Sequence, residues 1–222
     1  MARAKAFYFV RFLLLLGLLG LAGCAENSKA VVQTVRDAFA DNRAAADAFK
    51  LDPRFRYLRV THEGGVAILI LGGVDKDARG IIQTWYAADA AVLKLQNGRL
   101  VGNTGLAPEW RAVALPELPA WSTLAAEQKP LPWERVRDVM PGYRFGIRDQ
   151  LVLAVVAPPR SSGLVRLDPQ KLTWFEERTQ ASTGERLPPA RYAVQGDTVV
   201  YGEQCVSARN CIKWQRWPAD GA

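Results

Sequence analysis

The stretch FRYLRVTHEGGVAILIL, residues 55–71, decides how the chain is read. Two runs rich in β-branched and aromatic residues, Phe55 to His62 and Val66 to Leu71, flank Gly64-Gly65. Side chains alternate across a strand with a period of two, so the stretch reads as a hairpin. The same pattern continues in IIQTWYAADAAVLKLQNGRLV, residues 81–101, with strands expected at Ile81 to Tyr86, Ala91 to Gln96 and Arg99 to Val101. Asn97-Gly98 between the last two suits a type I′ turn, which needs positive φ at both central positions. Further short runs follow at Tyr143 to Arg148, Gln150 to Ala157, Gly163 to Leu167, Leu172 to Arg178, Arg191 to Gln195, Thr198 to Tyr201 and Ile212 to Trp217. Five of the thirteen prolines fall in residues 107–133, which argues for an ordered crossing segment there and against a central strand. The expected architecture is mainly β: one domain over residues 54–222, antiparallel, barrel-like or sandwich, in two halves joined by that segment. A faint parallel between Thr84-Trp85-Tyr86 and Thr173-Trp174-Phe175 hints at two related sheets.

Upstream of Pro53 the period is helical. Val31, Val35, Phe39, Ala46 and Phe49 recur on one face between Ser28 and Lys50, with Ser28 as N-cap and Asp52-Pro53 as the stop. The apolar stripe most simply packs on the domain; the competing reading lays the helix on a membrane. Residues 24–53 thus form a tether and a helix. Ahead of them, Arg3, Lys5 and Arg11 precede an apolar block from Phe12 to Leu21 that closes on Ala22-Gly23-Cys24. At about 1.5 Å rise per residue, such a block covers only about half of a roughly 30 Å hydrocarbon core, so residues 1–23 read as a cleaved signal peptide and not as a spanning helix.

With 222 residues, 49% hydrophobic and 23% charged, the composition is globular and not disordered. Of the formal +7, three charges lie in the signal segment, and the mature chain keeps 26 Lys+Arg against 22 Asp+Glu. That excess suits anionic headgroups or an acidic polysaccharide and is too dispersed for nucleic acid. Beside Cys24, which closes the signal segment, the chain has Cys205 and Cys211, six positions apart in a compartment that permits a disulfide; a redox or metal pair is the poorer alternative at that spacing.

The chain carries no nucleophile elbow, phosphate-cradling glycine loop, His-Glu-x-x-His or calcium loop. Its one histidine, His62, removes most zinc sites and nearly every histidine-based triad. Glu176 and Glu177 are neighbours on an expected strand, so they point to opposite faces and cannot flank one glycosidic bond together; a partner such as Asp89 or Glu109 would have to come from elsewhere. No catalytic, cofactor-binding or metal-binding residue is expected. The seven tryptophans are the one constellation that suggests a ligand, because indole faces stack on sugars while arginines such as Arg99 and Arg216 bond hydroxyls or carboxylates. The competing reading makes those rings core anchors.

Two motifs carry a family resemblance. Leu21-Ala22-Gly23-Cys24 resembles the bacterial lipobox, and Thr84-Trp85-Tyr86-Ala87-Ala88-Asp89, Val92-Leu93-Lys94-Leu95, Asn97-Gly98-Arg99-Leu100-Val101 and Thr104-Gly105-Leu106 together resemble the core pattern of the YjbF/GfcB lipoproteins of exopolysaccharide and group 4 capsule loci. The lipobox implies acylation of Cys24, and several acyl chains at about 0.8 kcal/mol per buried methylene would anchor the chain permanently. Ala25 in place of an aspartate favours the outer membrane. The family likeness implies a mostly β lipoprotein on the periplasmic face, acting with protein partners of its locus, or with the polysaccharide, in polymer production or export. The candidate surface is Trp85, Tyr86, Asp89, Arg99 and Trp174. Two other functions are weighed beside this non-enzymatic one: a carrier sheltering a lipid or lipid-linked sugar in a barrel cavity, and a glycan hydrolase.

Overall fold

The computed structural model describes residues 43–88 and 90–219. The expected anchor at Cys24, Asp89 and the part of the expected helix before Arg43 lie outside them. A short helix, α1 (Arg43–Ala48), leads into twelve strands: β1 (Tyr57–His62), β2 (Gly65–Asp77), β3 (Gly80–Tyr86), β4 (Val92–Gln96), β5 (Arg99–Thr104), β6 (Glu109–Ala114), β7 (Leu131–Met140), β8 (Arg144–Val156), β9 (Thr173–Ala181), β10 (Ala190–Gln195), β11 (Thr198–Cys205) and β12 (Cys211–Trp217). A second helix, α2 (Trp121–Glu127), sits between β6 and β7.

All twelve strands belong to one antiparallel sheet in the order β5-β4-β3-β2-β1-β12-β11-β10-β9-β8-β7-β6. The sheet curls until its two edge strands, β5 and β6, lie against each other, so it is a nearly closed barrel. No strand ladder joins those edges. Asn103 closes the seam with its side chain: Oδ1 accepts the Trp110 N–H at 2.9 Å, and Nδ2 donates to the carbonyls of Leu106 at 2.6 Å and Pro108 at 3.2 Å. A buried amide thereby satisfies backbone groups that a thirteenth strand would otherwise have to meet. The sheet is single, where the Trp85/Trp174 parallel had hinted at two.

Residues 107–133 do cross from one edge of the sheet to the other, but they contain edge strand β6 and the first residues of β7 as well as α2. Pro132 is tolerated because it pairs only with Val152 of β8, beyond the stretch of β7 that pairs with β6. The expected strands at Tyr143 to Arg148 and Gln150 to Ala157 are one strand, β8. Gly163 to Leu167 is not a strand; it belongs to a segment laid over the outer face, where Leu164 and Leu167 pack on Trp174, Ala193, Val200 and Tyr201. Gln215 satisfies that segment's backbone, its amide accepting from Val165 N and donating to Val165 O, both at 2.8 Å.

The interior is packed with side chains. Trp85, Trp110, Trp214, Tyr192, Phe175, Leu58, Leu93, Leu151 and Leu153 are all sealed from solvent. Gly202 makes room for one of them: a Cβ there would stand 2.4 Å from the Trp214 ring. At the chain's entry, Ala46 of α1 is buried and Arg59 of β1 holds Asp47 at 3.2 Å. Phe49, expected in the apolar stripe, is half exposed with its ring edge-on to Tyr57.

Candidate functional site

The hairpin tips β4–β5 and β10–β11 lie at the barrel end that α2 covers. Trp121 donates its indole N–H to the carbonyl of Asn97 at 3.0 Å, and Asp197 accepts the Ser122 N–H at 2.8 Å. That bond also holds the Asp197 carboxyl below its usual range. The helix is thus pinned to two separate turns. The Trp121 ring descends into the barrel, 4.9 Å from Phe175 and 5.3 Å from Tyr192 between ring centres. Asn97-Gly98 forms the expected tight turn, with φ of 49° and 82°. A Cβ on Gly98 would meet Val199 at 2.4 Å, so the turn packs directly on β11.

Between these parts lies an open cleft of about 460 Å³. Its lining comes from Leu118, Pro119 and Ala120 on the approach to α2, from Ile81 and Gln83 of β3, and from Asp197, Thr198 and Val199 at the β10–β11 turn. Arg99 and Arg216 supply its positive charge. The Arg99 guanidinium stacks 3.8 Å above the Trp121 ring, and its Nε and Nη2 make no hydrogen bond among the described residues. Burial pushes its pKa down, against the pull of Tyr192 and Glu177. Arg216 donates Nε to the Val199 carbonyl at 3.2 Å. Burial lowers its pKa too, and the like charge of Arg56 lowers it further.

Deeper in the barrel, Asp149 accepts from Nε of both Arg135 and Arg137 on a single oxygen, each at 2.7 Å. Arg135 also stands 3.6 Å from Glu177, and Arg137 reaches Glu185 at 3.3 Å. Both arginines lie over the Trp110 ring, at 4.5 and 5.2 Å. Burial raises the Glu177 pKa, opposed by Arg135 and then Arg99. The Tyr192 phenol is pushed far up by burial and by the Glu177 charge. Except for the partly exposed Glu185, these groups are closed to solvent, so they organise the core.

Of the expected surface residues, Arg99 lines the cleft and Tyr86 is half exposed. Trp85 and Trp174 do not belong to a surface. Each is 1% exposed, one filling the interior and the other sealed beneath the segment after β8. All seven tryptophans are buried, so none offers an open indole face. Glu176 and Glu177 do face opposite ways: Glu176 pairs with Arg178 and Arg191, while Glu177 is interior. Glu109 accepts from Gly105 N and Arg111. His62 is buried at the end of β1, and burial lowers its pKa against the opposing pull of Glu63. Cys205 and Cys211 form a disulfide across the β11–β12 pairing. Sequence reasoning missed Arg135, Arg137 and Asp149. Their signal was the alternation of Trp133, Arg135, Arg137 and Val139, which share one face of β7.

The class the fold defines is a nearly closed antiparallel β-barrel, its seam held by a side chain, one end covered by a helix and its interior filled with aromatic and paired charged groups. The family model for the group 4 capsule polysaccharide lipoproteins, gfcB and YjbF, matches residues 41–209, and the chain belongs to that family. The fold is shared with a solved structure, the hypothetical lipoprotein YmcC from Escherichia coli K12. It is 16% identical, with a TM-score of 0.59 over 79% of this chain and 93% of that one. Among curated proteins no match is found.

Proposed function

We propose that the chain is a lipid-anchored accessory factor in exopolysaccharide or capsule production or export, acting by contact and not by catalysis. Acyl chains on Cys24 hold it at the periplasmic face of the outer membrane, and the barrel binds partner proteins of the export machinery or the polymer. The observation that carries this reading is the filled barrel. Its largest interior side chains, Trp85, Trp110, Trp214 and Arg137, are each less than 2% exposed, so side chains occupy the interior where a lipid carrier requires a deep apolar chamber. Hydrolysis of a glycan needs two carboxyl groups flanking an open cleft at roughly 5 to 9.5 Å. Here Asp149 and Glu177 are sealed and bound to arginines, while Glu109 and Glu176 are held in ion pairs. The test is a deletion strain. Surface polymer is lost and returns with the wild-type chain, which co-purifies with its outer-membrane partners; undiminished polymer in the deletion would refute the role.

A further inference from the structure

The cleft beneath α2 holds more positive charge than its surroundings answer. Arg99 is 3% exposed, and no carboxylate among the described residues lies within ion-pair distance of it. Two of its three guanidinium nitrogens, Nε and Nη2, are buried without a partner. An unmet buried donor on a charged group is costly, so such groups are ordinarily paired or solvated by a bound species. Among the described residues the Val199 carbonyl is the hydrogen-bond partner of Arg216, and Arg56 adds a second like charge beside it. The one carboxylate in the lining, Asp197, is already engaged by Ser122 N. Around these charges the walls are of mixed character. Pro119 and Ile81 offer apolar surface, while Gln83 and Thr198 offer an amide and a hydroxyl. The volume, about 460 Å³, lies within the range of small-molecule sites.

Taking the polymer-binding side of the proposed function as its basis, we infer that this cleft is a saccharide subsite that selects a carboxylated sugar residue. The carboxylate is received by Arg216 at the rim and Arg99 behind it, and the ring lies between Pro119 and Ile81. A planar guanidinium matches a carboxylate bidentately, and a sugar ring pairs apolar C–H faces with hydroxyls that the Gln83 amide and Thr198 hydroxyl can bond. Asp197 within the lining disfavours densely charged polyanions and leaves room for one negative charge per residue of the ligand. The frame of the site is preformed, because α2 is tied to both turns, and binding requires only that Arg99 turn its covered Nε and Nη2 toward the carboxylate.

The experiment uses the full chain in detergent micelles, titrated calorimetrically with trigalacturonate and, as a neutral counterpart of equal length, maltotriose. Trigalacturonate is expected to bind at least tenfold more tightly than maltotriose, with affinity falling as salt rises. Arg216→Gln, which alters a rim residue, is expected to weaken trigalacturonate at least tenfold while leaving the thermal unfolding transition in place. Equal binding of the two sugars, no binding of trigalacturonate, or an Arg216→Gln chain that binds as the wild type does would each overturn the inference. The comparison of the two sugars on the unaltered chain stands even if the variant does not fold. Deletion of the gene separates the two levels: if polymer is lost without the chain but trigalacturonate does not bind, the subsite is wrong and the accessory role stands. If polymer is unaffected, the role itself fails.

Discussion

Replacing Asp149 by alanine tests the interior charge network most severely. Its Oδ2 accepts from Arg135 and Arg137 at 2.7 Å each, and all three side chains are no more than 2% exposed. Removing the acid leaves the two arginines with weaker ion-pair contacts, 3.6 Å from Arg135 to Glu177 and 3.3 Å from Arg137 to Glu185. Breaking a buried ion pair by deleting one partner costs about 3–5 kcal/mol, because the remaining charge stays desolvated. For a domain of this size each kcal/mol moves the melting temperature by about 2–4 °C, so Asp149→Ala is expected to melt roughly 6–20 °C lower. Circular dichroism melts and urea titration would read this. The control is Glu134→Ala, which removes a 2.6 Å pair with Arg148 whose partners are 38% and 65% exposed, and is expected to cost less than about 1 kcal/mol. A further chain, with Asp149→Leu, Arg135→Met, Arg137→Met and Glu177→Gln together, should recover part of the loss, since it leaves neither arginine without its acid nor Glu177 without its base, and apolar replacement of a buried ion cluster is often neutral. A shift for Asp149→Ala no larger than that of Glu134→Ala would refute the reasoning.

Three further outcomes follow from the same geometry. Gly98→Ala places a Cβ 2.4 Å from Val199 at a φ of 82°, and should cost about 1–3 kcal/mol in a melt, part of it regained when Val199→Ala is added. Replacing Cys205 and Cys211 by serine opens a loop of six-residue separation and should lower stability by about 2 kcal/mol in urea titration while the β signal persists. Burial depresses the His62 pKa below 6.5, so the unfolded chain binds its proton first; stability carried by this residue is full above pH 6.5 and declines as pH falls toward the lower folded pKa. His62→Gln should flatten that part of the pH–stability curve.

How far the sequence spoke for this structure depended on whether alternation was interrupted. Asn97-Gly98 announced β4 and β5 because the turn chemistry is local, and Arg99 and Arg216, singled out for their chemistry, both line the cleft beside α2. β6 and β7 were hidden by the prolines around them, although Glu109–Ala114 contains none and Pro132 sits beyond the β6 pairing. Asp149 split β8 into two expected runs because a carboxylate in an inward position breaks the apolar pattern, and its justification, Arg135 and Arg137, lies on another strand. Gly163 to Leu167 imitated a strand because Gln215 supplies the hydrogen bonds a neighbouring strand would have made. The number of tryptophans said nothing of their exposure. Trp85 and Trp174 became interior and covered residues through tertiary packing, which composition does not encode.

The account stands or falls on an anchored chain that acts by contact in polymer export, and one comparison reaches both parts. Surface polysaccharide is quantified in a deletion strain complemented with either the wild-type gene or Cys24→Ser, with equal protein levels confirmed by immunoblot. Wild type should restore the polymer and Cys24→Ser should leave it near the deletion level. Full restoration by the unacylated chain would contradict the account.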